Sequence, residues 1–291
     1  MKGQIAAATE QLRAAGVASP EHDARALAAH VLGCRLGDLP LHDTLDPLAY
    51  GELVTRRAQR IPLQHLTGSV GFRWIELEVG PGVFVPRPET ESVVQWVIDA
   101  TPLWCPSTSP EPGEKPPRGV VVDLCAGSGT IALSLAHEIP GTQVHAVERD
   151  AGALVWLKRN AARLSPQVSI HAADVEGCLP ELDGLVDVVV SNPPYVPETE
   201  RHLSEPEVVD HDPAVAVFAG EDGLDVIRLV EQAARRLLRP GGLVVVEHSD
   251  RQGTSAPAVF AQAGGWSDIE DHQDLTGRDR YVTARRQGSP T

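Results

Sequence analysis

Val120-Val121-Val122-Asp123-Leu124 runs directly into Cys125-Ala126-Gly127-Ser128-Gly129, and residues 130–137 then take up a helical pattern. An apolar run of strand length, a turn of small residues and a helix make the first half of a βαβ unit. Gly127 and Gly129 let the backbone approach a ligand closely. The helix that follows offers free N–H groups to a carboxylate or phosphate. Glu148 closes the next strand, residues 143–148, at 21 positions beyond Gly127, where a carboxylate can accept both hydroxyls of a ribose. A lone Gly-x-Gly turn is often only a tight turn; with Glu148 at this spacing it points to an adenosine-containing ligand. Gly127-x-Gly129-x-x-Ala132 also fits the loose dinucleotide fingerprint. Two residues favour S-adenosylmethionine instead. Asp123, just before the turn, can assist in holding an ammonium group and would repel a pyrophosphate. Asp174, just past the third strand, can take an adenine amino group with Val175 beside the ring.

Outward from this unit the alternation continues. Residues 151–164 read as a helix, 168–171 and 185–191 as strands, and 224–238 as a long helix stopped by Pro240-Gly241-Gly242. Residues 243–247 read as a strand, 256–264 as a helix, and 266–271 with 280–284 as a final antiparallel hairpin. The expected fold is α/β: a doubly wound, mostly parallel sheet with a final antiparallel strand. Upstream the period is helical. Residues 5–15 are Ala-rich, Ser19-Pro20 opens a helix through residue 32, and Asp46-Pro47 opens another to about residue 60. Residues 1–63 are expected to form a small helical bundle. Phe72, Trp74, Ile75, Leu77 and Val79 among polar residues suggest a β-hairpin connector over 64–88. The α/β domain then occupies 89–291, opening on a helix near Glu89. Residues 101–118 carry six prolines and read as a surface loop.

The strand at 185–191 ends in Asn192-Pro193-Pro194-Tyr195. Prolines cannot continue a ladder, so the strand stops there, and ligands of open α/β sheets bind outside the carboxyl ends of strands. A conjugated NH2 is a poor nucleophile because its lone pair is delocalised. The Asn192 side-chain oxygen and the Pro193 carbonyl can each accept one of its N–H bonds and aim the nitrogen. Pro193 and Pro194 fix that geometry in advance, and Tyr195 can stack on the planar group. No part of this corner serves hydride transfer, which weighs against a nicotinamide enzyme.

Composition limits the rest. The net charge is −15, and residues 1–80 hold 8 basic against 9 acidic side chains, so nearly all of the excess lies beyond them. An acidic body is a poor polyanion binder, which argues against duplex nucleic acid. Cys34, Cys105, Cys125 and Cys178 form no Cys-x-x-Cys, as suits free thiols in a reducing cytoplasm. His137-Glu138 has no second histidine at metalloprotease spacing, and no metal site is expected. No apolar run of membrane-spanning length or secretory pattern is present.

Two further segments narrow the reading. Pro62-Leu63-Gln64-His65-Leu66-Thr67-Gly68 and Phe84-Val85-Pro86-Arg87-Pro88-Glu89-Thr90-Glu91 resemble the HemK/PrmC family of peptide chain release factor glutamine methyltransferases. So do the helical N-terminus, the glycine turn, the Asn192–Tyr195 corner, Asp222-Gly223-Leu224-Asp225 and Val246-Glu247-His248. The resemblance covers nearly the whole chain. It implies a class I S-adenosylmethionine-dependent methyltransferase with a Rossmann-like sheet. The methyl group would pass to the side-chain amide (N5) of the glutamine in the Gly-Gly-Gln motif of class 1 release factors, with S-adenosylhomocysteine as product. By the resemblance, Asp123, Cys125, Ala126, Gly127, Ser128, Gly129, Glu148, Asp174, Val175 and Asn192 hold the donor. Asn192, Pro193, Pro194 and Tyr195 hold the substrate amide, with Asn192, Pro193 and Tyr195 carrying the catalysis. The N-terminal bundle would dock the release factor, and a cytoplasmic monomer is expected. The chain departs from the family pattern in having Cys125 for the usual first glycine, Glu148 for the usual Asp, Val175 for a frequent aromatic, and the proline-rich insertion. The resemblance implies that residues 84–91 lie near donor and substrate; Arg87 and Glu89 either pair to hold their loop, touch ligand, or only belong to a proline-braced helix start at Glu89. An adenine-N6 nucleic-acid methyltransferase would share the corner but needs a basic groove, which is not apparent.

Overall fold

The computed structural model describes residues 1–40, 44–100 and 119–288. The proline-rich segment 101–118 therefore lies outside the described residues. The chain divides into two compact units.

The first unit gathers Met1–Ser69, Val79–Pro81 and Glu205–His211. Its helices are α1 (Lys2–Ala14), α2 (Pro20–Leu32), α3 (Pro47–Ala58) and the short α4 (Leu63–Thr67). Leu12, Leu27, Leu45, Tyr50, Val54 and Leu66 form its core. Asp46 caps α3 by accepting from the Leu48 and Ala49 amides, whereas Ser19 makes no side-chain cap bond and Pro20 alone opens α2. The segment Glu205–His211 returns to this unit through buried charge. Arg57 pairs with Asp23 at 2.7 Å and with Glu207 at 2.9 Å, and Arg60 reaches both carboxylate oxygens of Glu207. The unit runs past the expected boundary at residue 63 and draws on residues far downstream in sequence. The helix Leu63–Thr67 lies where the sequence suggested the start of a hairpin.

The second unit holds a two-stranded sheet, β1 (Ser69–Phe72) with β2 (Ile75–Glu78), then α5 (Glu91–Asp99) after a 3₁₀ turn at Pro88–Thr90. Its body follows as β3 (Val120–Leu124), α6 (Thr130–Glu138), β4 (Gln143–Glu148), α7 (Ala151–Leu164), β5 (Ser169–Ala172) and β6 (Val186–Ser191). Two short helices, α8 (Pro206–His211, in the first unit) and α9 (Ala214–Val217), precede α10 (Asp225–Leu237), β7 (Leu238–Glu247), α11 (Ser255–Ala263), β8 (Trp266–Gln273) and β9 (Asp279–Arg286). The seven-stranded sheet has the order β5-β4-β3-β6-β7-β9-β8. All ladders from β5 to β7 are parallel, and β9 runs antiparallel to both β7 and β8. Val-rich strands buried on both faces are the signature of such a sheet: every residue of β6 is buried. The strand expected from 243 starts earlier, at Leu238, because Pro240-Gly241-Gly242 is absorbed as a register shift against Val186–Val188 rather than as a break.

The chain winds outward from β3 through β4 to β5, then jumps back to β6 on the other side of β3. That reversal between β3 and β6 is the place where such sheets open a crevice at their carboxyl edge.

Candidate active site

Register places the site. Leu124 stands beside Val147 of β4 and Ser191 of β6, and Ser191 stands beside Val246 of β7. One residue further along, four adjacent strands therefore release Glu148, Cys125, Asn192 and Glu247 at one edge. The Ser191 hydroxyl donates to the Leu124 carbonyl at 2.6 Å, locking the β3 and β6 ends together where the glycine turn and the proline corner depart.

The glycine turn is built from its backbone. Cys125, Gly127 and Gly129 all have positive φ, at 62°, 58° and 92°. Cys125 thus occupies a conformation that favours glycine, and its side chain packs against the core beneath the sheet edge. Glu148 accepts from the Gly127 amide at 2.8 Å and the Asp150 amide at 2.7 Å, so the second strand's carboxylate and the turn are in direct contact. Asn160, fully buried on α7, donates to the Ser128 carbonyl and holds Glu78 of β2 through both its amide N–H and its carbonyl. Nothing local in the sequence marks Asn160 except a polar residue on the inward face of an amphipathic helix. At Gly129 an added Cβ would lie 2.7 Å from Leu157 Cδ1 and 2.8 Å from Leu133 Cδ1. Gly129→Ala is expected to destabilise the fold by about 2 kcal/mol and to weaken binding at the turn; chemical denaturation would check it, and an unchanged midpoint would contradict it.

Asp123 is buried, with one carboxylate oxygen accepting from the Ala132 amide in the first turn of α6 at 3.0 Å. Its other oxygen, Oδ1, is buried without a hydrogen-bond partner. Burial, reinforced by the Glu148 charge, pushes its pKa up to about 8. The folded chain therefore holds this proton more tightly than the unfolded chain. Stability at this site is fully present below the ordinary value of 3.8 and is lost as pH rises through about 8. Asp123→Asn should raise the melting temperature of the ligand-free protein at pH 8 more than at pH 5, while lowering affinity for a cationic ligand. Equal shifts at the two pH values would refute the assignment.

Asp174 and Val175 are placed less simply. Asp174 follows β5 in a half-exposed ion pair with Arg149 at 2.9 Å, whose bond holds its pKa below the usual carboxylate range. Val175 is buried in the core cluster with Leu179 and Val147. Asp174 is thus already partnered by a mobile-length side chain from the end of β4, and Val175 offers a wall rather than an exposed face.

At the corner, Pro193 and Pro194 are buried while Asn192 and Tyr195 remain half-exposed. Asn192 Nδ2 donates to Thr90 Oγ1 at 3.1 Å. Among the described residues, neither Asn192 Oδ1 nor the Pro193 carbonyl takes a hydrogen bond. The Tyr195 hydroxyl donates to Glu247 Oε1 at 3.3 Å, and burial with the Glu247 charge pushes its pKa upward. Its backbone is pinned as well: Gln252 Nε2 donates to the Tyr195 carbonyl, and Gly223 approaches so near that a Cβ would fall 2.3 Å from that oxygen. Beyond it, Val196 bridges Phe218. Arg87 pairs with Asp212 at 3.1 Å, so it braces the loop that carries Thr90.

The residues fit the expected sulfonium donor. A turn of glycines at positive φ, a strand-end carboxylate beside it and an unpartnered carboxylate oxygen make a cradle for a ribose and a cationic amino acid. The structure brings Asp123, Cys125–Gly129, Glu148 and Asn192–Tyr195 to one edge and leaves Asp174 at its margin.

A family model described as the PrmC N-terminal domain matches residues 5–68, and one described as the methyltransferase small domain matches residues 111–209. The chain is 51% identical over 284 residues to the release factor glutamine methyltransferase of Streptomyces coelicolor, covering 97% of each. It is 47% identical to the enzyme of that name from Mycolicibacterium smegmatis, covering 98% of each. It is also 39% identical to the 4-amino-L-phenylalanine/4-methylamino-L-phenylalanine methyltransferase of Streptomyces pristinaespiralis, covering 96% of this chain and 92% of that one. Among solved structures, the hMettl16 catalytic domain in complex with the MAT2A 3′UTR hairpin 6 shares the fold, with a TM-score of 0.55 and 14% identity over 74% of this chain and 76% of that chain.

Proposed function

This chain belongs to the release factor glutamine methyltransferase family, and we propose that it methylates the side-chain amide nitrogen of the glutamine in the Gly-Gly-Gln motif of class 1 release factors. S-adenosylmethionine, when bound, supplies a methyl carbon made electrophilic by its positive sulfur. The chain's own residues do the aligning. Asn192 Oδ1 and the Pro193 carbonyl accept the two N–H bonds of the substrate carboxamide and hold its nitrogen in line. Pro193 and Pro194 keep both acceptors in place before the substrate arrives, so little reorganisation accompanies the charge that develops on nitrogen. The nitrogen becomes acidic as it gains the methyl group, and no strong base is needed. Glu148 and the turn from Cys125 to Gly129 orient the donor, with Asp123 beneath them, and Tyr195 walls the planar amide.

One observation supports the amide reading most: the Asn192 carboxamide donates from its NH2 to Thr90 and keeps Oδ1 without a hydrogen-bond partner among the described residues. The N-terminal helical unit is proposed to dock the release factor. A monomer is proposed. The net charge of −15 disfavours duplex nucleic acid as substrate, and no helix among the described residues is long and apolar enough to cross a membrane; a cytoplasmic enzyme is the reading. The name of the Streptomyces pristinaespiralis relative makes an arylamine the second planar NH2 to test. Mass spectrometry of release factor incubated with enzyme and S-adenosylmethionine decides between them. A gain of about 14 Da, one methylene, on the Gly-Gly-Gln peptide is expected; methylation of 4-amino-L-phenylalanine with none on the peptide would overturn the reading.

A further inference from the structure

We propose that Thr90 and Glu247 are positioning residues that fix which end of the Asn192 carboxamide faces the substrate. The inference rests on the methyl-transfer reading above and adds two groups to it. Glu247 closes β7, and its place next to Asn192 follows from the pairing of Ser191 with Val246. It is fully buried, a rare setting for a carboxylate. Tyr195 donates to its Oε1, while Oε2 is buried with no hydrogen-bond partner. Thr90 is 2% exposed and receives the Asn192 amide N–H.

Hydrogen-bond polarity does the rest. An ionised carboxylate only accepts, and a threonine hydroxyl has a single hydrogen to give. The Thr90 hydroxyl lowers the Glu247 pKa, as a donor to that carboxylate does, and with its hydrogen so directed the Thr90 oxygen can only accept from Asn192. Asn192 must then turn Nδ2 inward and Oδ1 outward. A substrate NH2 carries two donors and needs an acceptor opposite it. A flipped Asn192 would set NH2 against NH2 and leave no aligned complex. Glu247 thus acts through two hydrogen bonds on an atom it does not touch, and through Tyr195 on the other side of the same corner. Burial raises the Glu247 pKa to about 7, while the Thr90 hydroxyl and the Arg280 charge hold it down from higher values. The relay requires the ionised, accept-only form, which Glu247 takes above that value.

The test compares Thr90→Val, Thr90→Ser and Glu247→Gln in the full chain, with single-turnover methylation of a release factor and S-adenosylmethionine affinity measured on each. Thr90→Val keeps the shape and removes the hydroxyl. It is expected to lower the methyl-transfer rate on the order of 10- to 100-fold, as a misaligned nucleophile does, with donor affinity and melting temperature nearly unchanged. Thr90→Ser restores the hydroxyl and should recover most of the rate. Glu247→Gln offers Thr90 a donor, frees the relay to reverse, and should fall with Thr90→Val. A wild-type rate in either Thr90→Val or Glu247→Gln overturns the proposal, and so does a Thr90→Ser variant as slow as Thr90→Val. Wild-type protein that leaves the glutamine unmethylated in the same assay would instead overturn the functional reading.

Discussion

Asn192→Ala is expected to slow methyl transfer on the order of 100-fold while leaving the methyl donor bound. The substitution removes one of the two acceptors proposed to hold the substrate nitrogen, and by comparison with the loss of one oxyanion-hole partner it should cost about 3 kcal/mol in the transition state. On the proposed reading the donor would be held from the β3 and β4 ends, where the Cys125–Gly129 turn meets Glu148. Its affinity should therefore stay within a few fold, and isothermal titration alongside single-turnover kinetics separates the two quantities. The substitution also deprives the Thr90 hydroxyl of its Asn192 donor, a small loss next to the kinetic one. Near-normal turnover would remove Asn192 from the reaction; a parallel loss of donor affinity would make it a cofactor contact instead.

Arg57→Ala is the second large effect, and it falls on the helical unit. Arg57 is buried with three partners: Asp23, Glu207 and the Ile61 carbonyl. Removing it leaves the buried Asp23 carboxylate without its counter-charge, which typically costs about 3–5 kcal/mol. Arg60 still pairs with Glu207, so the segment Glu205–His211 is weakened rather than freed. Arg57→Lys should recover only part of the loss, because one ammonium cannot reproduce a planar fork. Differential thermal unfolding with limited proteolysis should show early cleavage within the helical unit. If that unit docks the release factor, methylation of intact factor should fall while donor affinity persists. An unfolding midpoint unchanged from wild type would contradict the buried-pair account.

How much of this was legible in the sequence depended on how local each signal is. Asp46-Pro47, the helix from Ala151 to Leu164 and the strand from Gln143 to Glu148 are marked by caps, periodicity and apolar runs within the segments themselves. That Glu148 closes the strand beside the glycine turn was legible because the spacing of a βαβ unit fixes it, whereas its hydrogen bond from the Gly127 amide was not. What escaped reading is set across the sheet. Glu247 was visible only as part of a motif, and its neighbours Tyr195 and Asn192 come from a ladder between strands more than fifty residues apart. Thr90 looked like one residue of a proline-braced helix start, yet it bonds a residue 102 positions away. The short helices between Glu198 and Val217 carry no strong period; the segment from Glu205 is held by Arg57 and Arg60, and Val217 by its neighbour's bridge to Val196. Asp123 was expected to assist in holding a ligand ammonium; what could not be read is that one of its carboxylate oxygens caps α6 while the other is buried without a hydrogen-bond partner.

The most direct test is a crystal structure of the protein with S-adenosylhomocysteine and a Gly-Gly-Gln peptide. The glutamine carboxamide should lie against the proline corner, its two N–H bonds donated to Asn192 Oδ1 and the Pro193 carbonyl and its nitrogen facing the sulfur. A peptide seated away from Asn192, or an Asn192 that offers its NH2 to the substrate, would contradict the account.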